Sequence, residues 1–116
     1  MGALAPAAGT VALVDFGRTV GREQSGVRPG LIISSSDYSD VITTLALAVP
    51  CTTVRRGWSN HVEITGPTGL AVPTFALTEQ HRCISTERVL RITGTVDNAT
   101  LSEVLRWVRA WIDEVA

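Results

Sequence analysis

Apolar and polar positions divide the chain into two unequal parts. Up to about residue 96 the apolar residues come in short runs separated by Gly, Pro and small polar residues, the pattern of short strands joined by turns. Residues 9–15 are Val-rich and predict a strand. Residues 16–29 carry Gly17, Gly21, Gly26 and Pro29 with four charges. They predict a surface loop longer than most connections, of the kind that is usually functional or disordered. Residues 30–34 predict a compact buried strand, 35–40 a turn or a single helical turn, and 43–49 another strand, stopped by Pro50. Residues 51–59 read as a second polar, Arg-bearing loop. Residues 61–64 alternate and run into Gly66-Pro67-Thr68-Gly69, a strong turn signal. Strand character resumes over 70–77, with Pro73 marking an edge or bulge. It returns over 82–85 and 91–96, on either side of a turn of helix at 86–89. Short strands at this spacing predict a small barrel or sandwich.

The last segment changes period. Leu101, Val104, Leu105, Val108, Trp111, Ile112 and Val115 recur every three or four residues and fall on one helical face. Asp97 is the expected N-cap, with Thr100 and Glu103 offering a second capping choice. The fold class is therefore mainly β with α, a small barrel closed by a C-terminal amphipathic helix.

Length and composition narrow this further. The chain has 116 residues, 45% apolar and 18% charged, which suits one self-sufficient globular domain. Residues 1–8 are small and apolar but lack a basic n-region, and read as a flexible leader before a single domain over 9–116. No apolar run approaches the ~20 residues needed to cross a bilayer, so no membrane role is expected. Two cysteines, Cys51 and Cys83, are too few for a disulfide framework and too isolated for a zinc site, which favours the reducing cytoplasm.

The formal net charge of −1 excludes a whole-molecule electrostatic grip on nucleic acid. The distribution is more telling. All ten cations are Arg, the side chain that pairs bidentately with phosphate. Between residues 17 and 60 five of them (Arg18, Arg22, Arg28, Arg55, Arg56) face three acids (Glu23, Asp37, Asp40), whereas from residue 97 onward four acids face two arginines. Basic loops are thus set against an acidic helical tail.

Several chemistries are excluded by spacing. There is no Gly-x-Ser-x-Gly elbow, no phosphate-binding Gly-rich loop ending in Lys, and no paired-His helix. His61 and His81 stand alone and read as structural, because a metal needs three or four convergent ligands. Cys51 has no neighbour in sequence that would activate it as a nucleophile. The segment Gly21-Arg22-Glu23-Gln24-Ser25-Gly26-Val27-Arg28-Pro29-Gly30 stands out, because it places a carboxylate and a guanidinium together at the lip of the barrel. On spacing alone it also suits a solvated loop with a surface ion pair worth under ~1 kcal/mol.

This segment, followed by a β-run, resembles the signature of the MazF/PemK family of toxin endoribonucleases from bacterial toxin–antitoxin systems. Further matches follow in the same order: Val49-Pro50-Cys51-Thr52-Thr53, Glu79-Gln80 through Arg88-Val89-Leu90, and Gly94-Thr95-Val96 leading into the terminal helix. The similarity covers nearly the whole chain from Gly9 to Val115. Two departures stand out. Val27 occupies the place where some members carry His before the Arg-Pro pair. Ala8 and Ala12 replace the basic residue and bulky aromatic that commonly open the first strand.

The resemblance implies an SH3-like barrel (CcdB/MazF-type), a homodimer, no cofactor or metal, and cleavage of single-stranded RNA at short motifs. That chemistry needs a base for the 2′-OH, charge stabilisation at the phosphorane and a proton for the leaving 5′-oxygen. Glu23 is the candidate base. Arg28, whose fork matches two phosphate oxygens, is the candidate charge stabiliser, and Thr52 is a hydroxyl donor to the same phosphate. An Arg does not readily release its proton, so water is the default donor to the leaving group. Arg22, Gln24, Thr53, Arg55, Arg56 and Trp58 are the candidate RNA-binding residues. Trp58 suits base stacking and capping of the barrel end equally well. Trp107 reads as partly buried beside Trp111.

The resemblance also implies an acidic, partly disordered antitoxin that occupies the groove. The alternative is a non-catalytic barrel that binds a protein target, either a gyrase-directed toxin or an antitoxin-sequestering homologue. Retention of Glu23, Arg28 and Thr52 together favours the enzyme.

Overall fold

The computed structural model describes residues 6–18, 20, 21 and 23–113. Residues 1–5 of the leader expected over 1–8, the binding residue Arg22 and the last position of the helical stripe, Val115, lie outside them. Seven strands follow in chain order: β1 (Thr10–Asp15), β2 (Val27–Ile32), β3 (Leu45–Thr52), β4 (His61–Glu63), β5 (Phe75–Leu77), β6 (Arg82–Ser85) and β7 (Val89–Thr95). A short helix α1 (Ser36–Val41) joins β2 to β3, and α2 (Asn98–Ile112) ends the fold. All pairings are antiparallel, in the order β4-β5-β3-β2-β1-β7, with β6 on β3. The class is mainly β with a closing helix, as the pattern predicts. Among the described residues the pairing forms an open path from β4 to β7 rather than a closed ring. No helix among the described residues is long and apolar enough to cross a membrane.

β3 organises the sheet. Leu45 to Ala48 pair with β6, Ala48 to Pro50 with β2, and Cys51 and Thr52 with Ala76 and Phe75 of β5. Pro50 therefore does not stop the strand. Its missing N–H falls between Ala48, the last residue paired with β6, and Cys51, the first paired with β5, a gap at which no donor has to continue the ladder.

A second difference moves a candidate residue from loop to strand. Gly26, at φ 77°, turns the chain, and Val27, Arg28 and Pro29 then pair with Asp15, Val14 and Leu13. β2 thus starts three residues before the expected Gly30. Pro29 is tolerated because β3 joins β2 only from Gly30 onward. The opposite happens over 70–77, where only Phe75–Leu77 forms a strand. On either side of Pro73 the chain turns on itself: Leu70 N–H donates to Thr68 Oγ1 (3.3 Å) and Thr74 Oγ1 to the Val72 carbonyl (3.0 Å).

Alternation along the strands fills two apolar clusters, one on each face of the sheet. Val11, Leu31, Val49, Cys51 and Ala76 point to one face, which α2 covers with Val104 and Val108. Ala12, Val14, Phe16, Ile32, Ala46, Ala48 and Ile84 fill the other. A Cβ at Gly30 would lie 3.0 Å from the Phe16 ring and 3.1 Å from Val14.

Asp97 caps α2 as expected, its Oδ1 accepting from Thr100 N–H at 2.8 Å. The apolar stripe is buried only over its first half: Leu101, Val104, Leu105 and Val108 pack on the core, whereas Trp111 and Ile112 are exposed.

Candidate active site

The loop between β1 and β2 is closed at its neck by two backbone hydrogen bonds. Phe16 N–H donates to the Gly26 carbonyl (3.0 Å) and Gly26 N–H to the Gly17 carbonyl (2.9 Å). Gly17 and Gly26 both take positive φ to do so, which favours glycine at each. Beyond the neck the chain turns back, and Glu23 Oε1 accepts from Val20 N–H (3.3 Å). Gln24 is then fastened to distant chain. Its N–H donates to the Gln80 side-chain oxygen (2.7 Å), and its carbonyl accepts from Arg82 Nη2 (3.0 Å).

This fastening sets Glu23 and Gln24 at one wall of a cavity of about 600 Å³, with Arg56, Trp58, His61, Glu79 and Gln80 around the rest. β4 and the 3-10 turn Thr78–Gln80 supply the far wall. His61 is buried, its Nε2 3.1 Å from Glu79 Oε1 and 3.2 Å from Oε2. Asn60 Nδ2 donates to the same Glu79 Oε1 (2.8 Å). Trp58 leans on the His61 ring at 4.7 Å between centroids and remains half exposed. It covers one side of the His61 ring and leaves part of its indole surface exposed.

Arg28 and Thr52 do not line this cavity. Pairing between β2 and β3 ends at Gly30 and Pro50, and two residues further along each strand are Arg28 and Thr52. Arg28 Nε donates to the Ser25 carbonyl (2.9 Å), a bond that does not use its two terminal nitrogens. Thr52 Oγ1 accepts from Val54 N–H (3.2 Å), a contact that does not use the hydroxyl hydrogen.

Electrostatics ties the strand residue to the loop residue. Burial lowers the pKa of the Arg82 guanidinium from its ordinary value; the Glu23 carboxylate opposes this and the like charge of Arg28 adds to it. Glu23, Arg28 and Arg82 thus share one electrostatic neighbourhood. Cys51, the residue before Thr52 on β3, has its thiol pushed up to about 12 by burial, against the opposing effects of a backbone hydrogen bond from Leu31 and the Arg28 charge. Burial thus favours the thiol over the thiolate that a nucleophile needs.

The remaining candidates divide. Arg56 lines the cavity, whereas Arg55 is turned onto the Phe75 ring (4.6 Å) and Glu63 (3.6 Å). Thr53 is exposed and does not line it. Trp107 is half-buried as expected, stacked on Trp111 at 5.7 Å. Four site residues escape a reading by spacing: His61, Glu79, Gln80 and Arg82. The run Glu79-Gln80-His81-Arg82 is the local signal for the last three. Among the described residues no three His, Cys, Asp or Glu side chains gather as a metal site.

With this geometry, similarity to known proteins is informative. Residues 7–112 match the family described as PemK-like, MazF-like toxin of type II toxin–antitoxin system. The endoribonuclease toxin MazF of Escherichia coli (strain K12) is 33% identical over 109 residues, covering 93% of this chain and 91% of that protein. The crystal structure of MazF (Form-I) from Deinococcus radiodurans superposes with a TM-score of 0.80 at 25% identity, over 93% of this chain and 96% of that one. The MazE–MazF structure (Form-II) from the same organism gives 0.74 at 25% identity, with the same coverage of each chain. The chain belongs to the PemK-like, MazF-like toxin family of type II toxin–antitoxin systems.

Proposed function

We propose that the chain is an endoribonuclease toxin that cuts single-stranded RNA without a metal, acts as a homodimer in the cytoplasm and is restrained by an acidic antitoxin. One observation carries the reading: Glu23 lines a cavity whose walls combine an indole, amides and Arg56, and Arg28, outside that lining, acts on the same Arg82 guanidinium as Glu23 does. Such walls suit unpaired RNA, which is held by stacking and by backbone charge rather than by groove shape. The Escherichia coli relative is named an endoribonuclease toxin, and the Deinococcus radiodurans relative has been solved together with MazE.

In this reading Glu23 takes the proton of a ribose 2′-OH, and the 2′-oxygen attacks the adjacent phosphorus. Arg28 and Thr52 donate to the non-bridging oxygens as negative charge builds on them. The P–O5′ bond breaks, and water supplies the proton to the leaving oxygen. The products are a 2′,3′-cyclic phosphate and a 5′-hydroxyl. Arg56, Trp58 and Gln24 hold flanking nucleotides, with Thr53 and Arg55 along the outer path. Incubating the purified protein with a long single-stranded RNA in EDTA and mapping the ends tests this. Those two end types support the enzyme, whereas intact RNA points to a non-catalytic binder of protein.

A further inference from the structure

Arg82 opens β6, and its guanidinium touches the acid-bearing loop at its neck and again beside Glu23. It lies over the ring of Phe16 (5.1 Å), whose backbone N–H closes the loop neck, and its Nη2 reaches the carbonyl of Gln24, next to Glu23. We propose that Arg82 is a positioning residue that fastens the loop through Gln24 and so fixes Glu23 for RNA cleavage; the inference rests on the reading above.

The loop needs such a device. Gly17, Gly21 and Gly26 all take positive φ, and glycines give an unfastened segment many alternative conformations. The neck bonds define where the loop leaves and returns, and the bonds between Glu23 and Val20 shape it from within. At the tip both backbone groups of Gln24 are held by chain more than fifty residues away, the N–H by the Gln80 side chain and the carbonyl by Arg82. The two holders are themselves joined, Arg82 Nε donating to the Gln80 carbonyl at 3.5 Å.

Arginine suits this work through its shape. A planar fork directs Nε toward one carbonyl and Nη2 toward another while its face rests on an aromatic ring. A lysine ammonium has the charge but lacks that fixed pair of directions. The attraction between Arg82 and Glu23 acts in the same sense, drawing the carboxylate toward β6.

Two readouts test this on the intact protein: amide hydrogen exchange at Gln24, and single-turnover RNA cleavage. In Arg82→Ala and Arg82→Lys the Gln24 amide exchanges at least ~10-fold faster while the amide of Val49 in β3 is unchanged. The cleavage rate falls ~10- to 100-fold with KM for RNA altered less than about threefold. Gln80→Ala, which removes the other half of the clamp, does the same. The double variant loses about as much as the worse single one, because both act on one residue. Unchanged exchange at Gln24, a wild-type cleavage rate, or a loss confined to KM overturns the inference. If the wild-type protein cuts no RNA, the proposed function fails, and the clamp is still decided by the exchange measurement.

Discussion

His61 presents Nε2 to both carboxylate oxygens of Glu79, at 3.1 and 3.2 Å, while its Nδ1 is buried with no partner among the described residues. A neutral imidazole has one donor and one acceptor, so the tautomer with hydrogen on Nε2 serves Glu79 and leaves a bare lone pair at Nδ1. The wall of the cavity depends on this pair. Glu79→Ala removes the acceptor for both His61 and Asn60, and urea unfolding is expected to show a loss of about 1–3 kcal/mol. Glu79→Gln keeps one acceptor oxygen and loses less. Equal losses in the two variants contradict the assignment.

The two cysteines differ sharply in exposure. Cys51 is fully buried, its thiol held near 12, whereas Cys83 is exposed on β6. A thiol reagent at neutral pH is expected to label one cysteine in the folded protein and both in denaturant; rapid native labelling of Cys51 contradicts this. The same burial gives a pH dependence. A folded-state pKa raised above the ordinary value of 9.0 contributes stability that is complete below about 9 and is lost as pH rises toward 12. Cys51→Ala removes that alkaline decline, apart from what other groups contribute.

The cap of α2 behaves in the opposite sense with pH. The Thr65 hydroxyl, then the Thr100 amide and hydroxyl, hold the Asp97 carboxyl below its ordinary value. A depressed folded-state pKa contributes stability that is present above the unfolded value near 4 and is lost as pH falls through the folded one. Asp97→Ala is expected to lower Tm by about 5 °C at pH 7. Asp97→Asn, which keeps an acceptor at the cap, holds Tm nearly level at pH 7 and flattens its acid-side fall. A Tm in Asp97→Ala equal to that of the wild type shows that the cap carries no weight.

Much of the fold is legible in local pattern, and the exceptions have local causes. The terminal helix, the buried first half of its stripe and its Asp97 cap are legible because each depends on residues within a few positions of each other. Pro50 misleads because whether a missing N–H matters depends on which strand lies alongside, and β3 changes from β6 to β5 across that residue. Val27 to Pro29 join β2 for the same reason: pairing with β1 outweighs the loop-like composition. In the candidate site, Glu23 and Arg28 announce themselves by proximity in sequence. His61, Glu79 and Arg82 do not, because their roles come from contacts to residues 18, 58 and more positions away. Spacing along the chain carries no trace of such contacts.

The central claim places the developing charge of a scissile phosphate on Arg28, carried by β2 beside Thr52. Single-turnover cleavage of single-stranded RNA in EDTA by Arg28→Ala, compared with the wild-type protein, tests it most directly. The account predicts a rate about 100- to 1000-fold lower in a folded variant of unchanged Tm, the usual effect of removing one preorganised donor. Cleavage by that variant at the wild-type rate contradicts it.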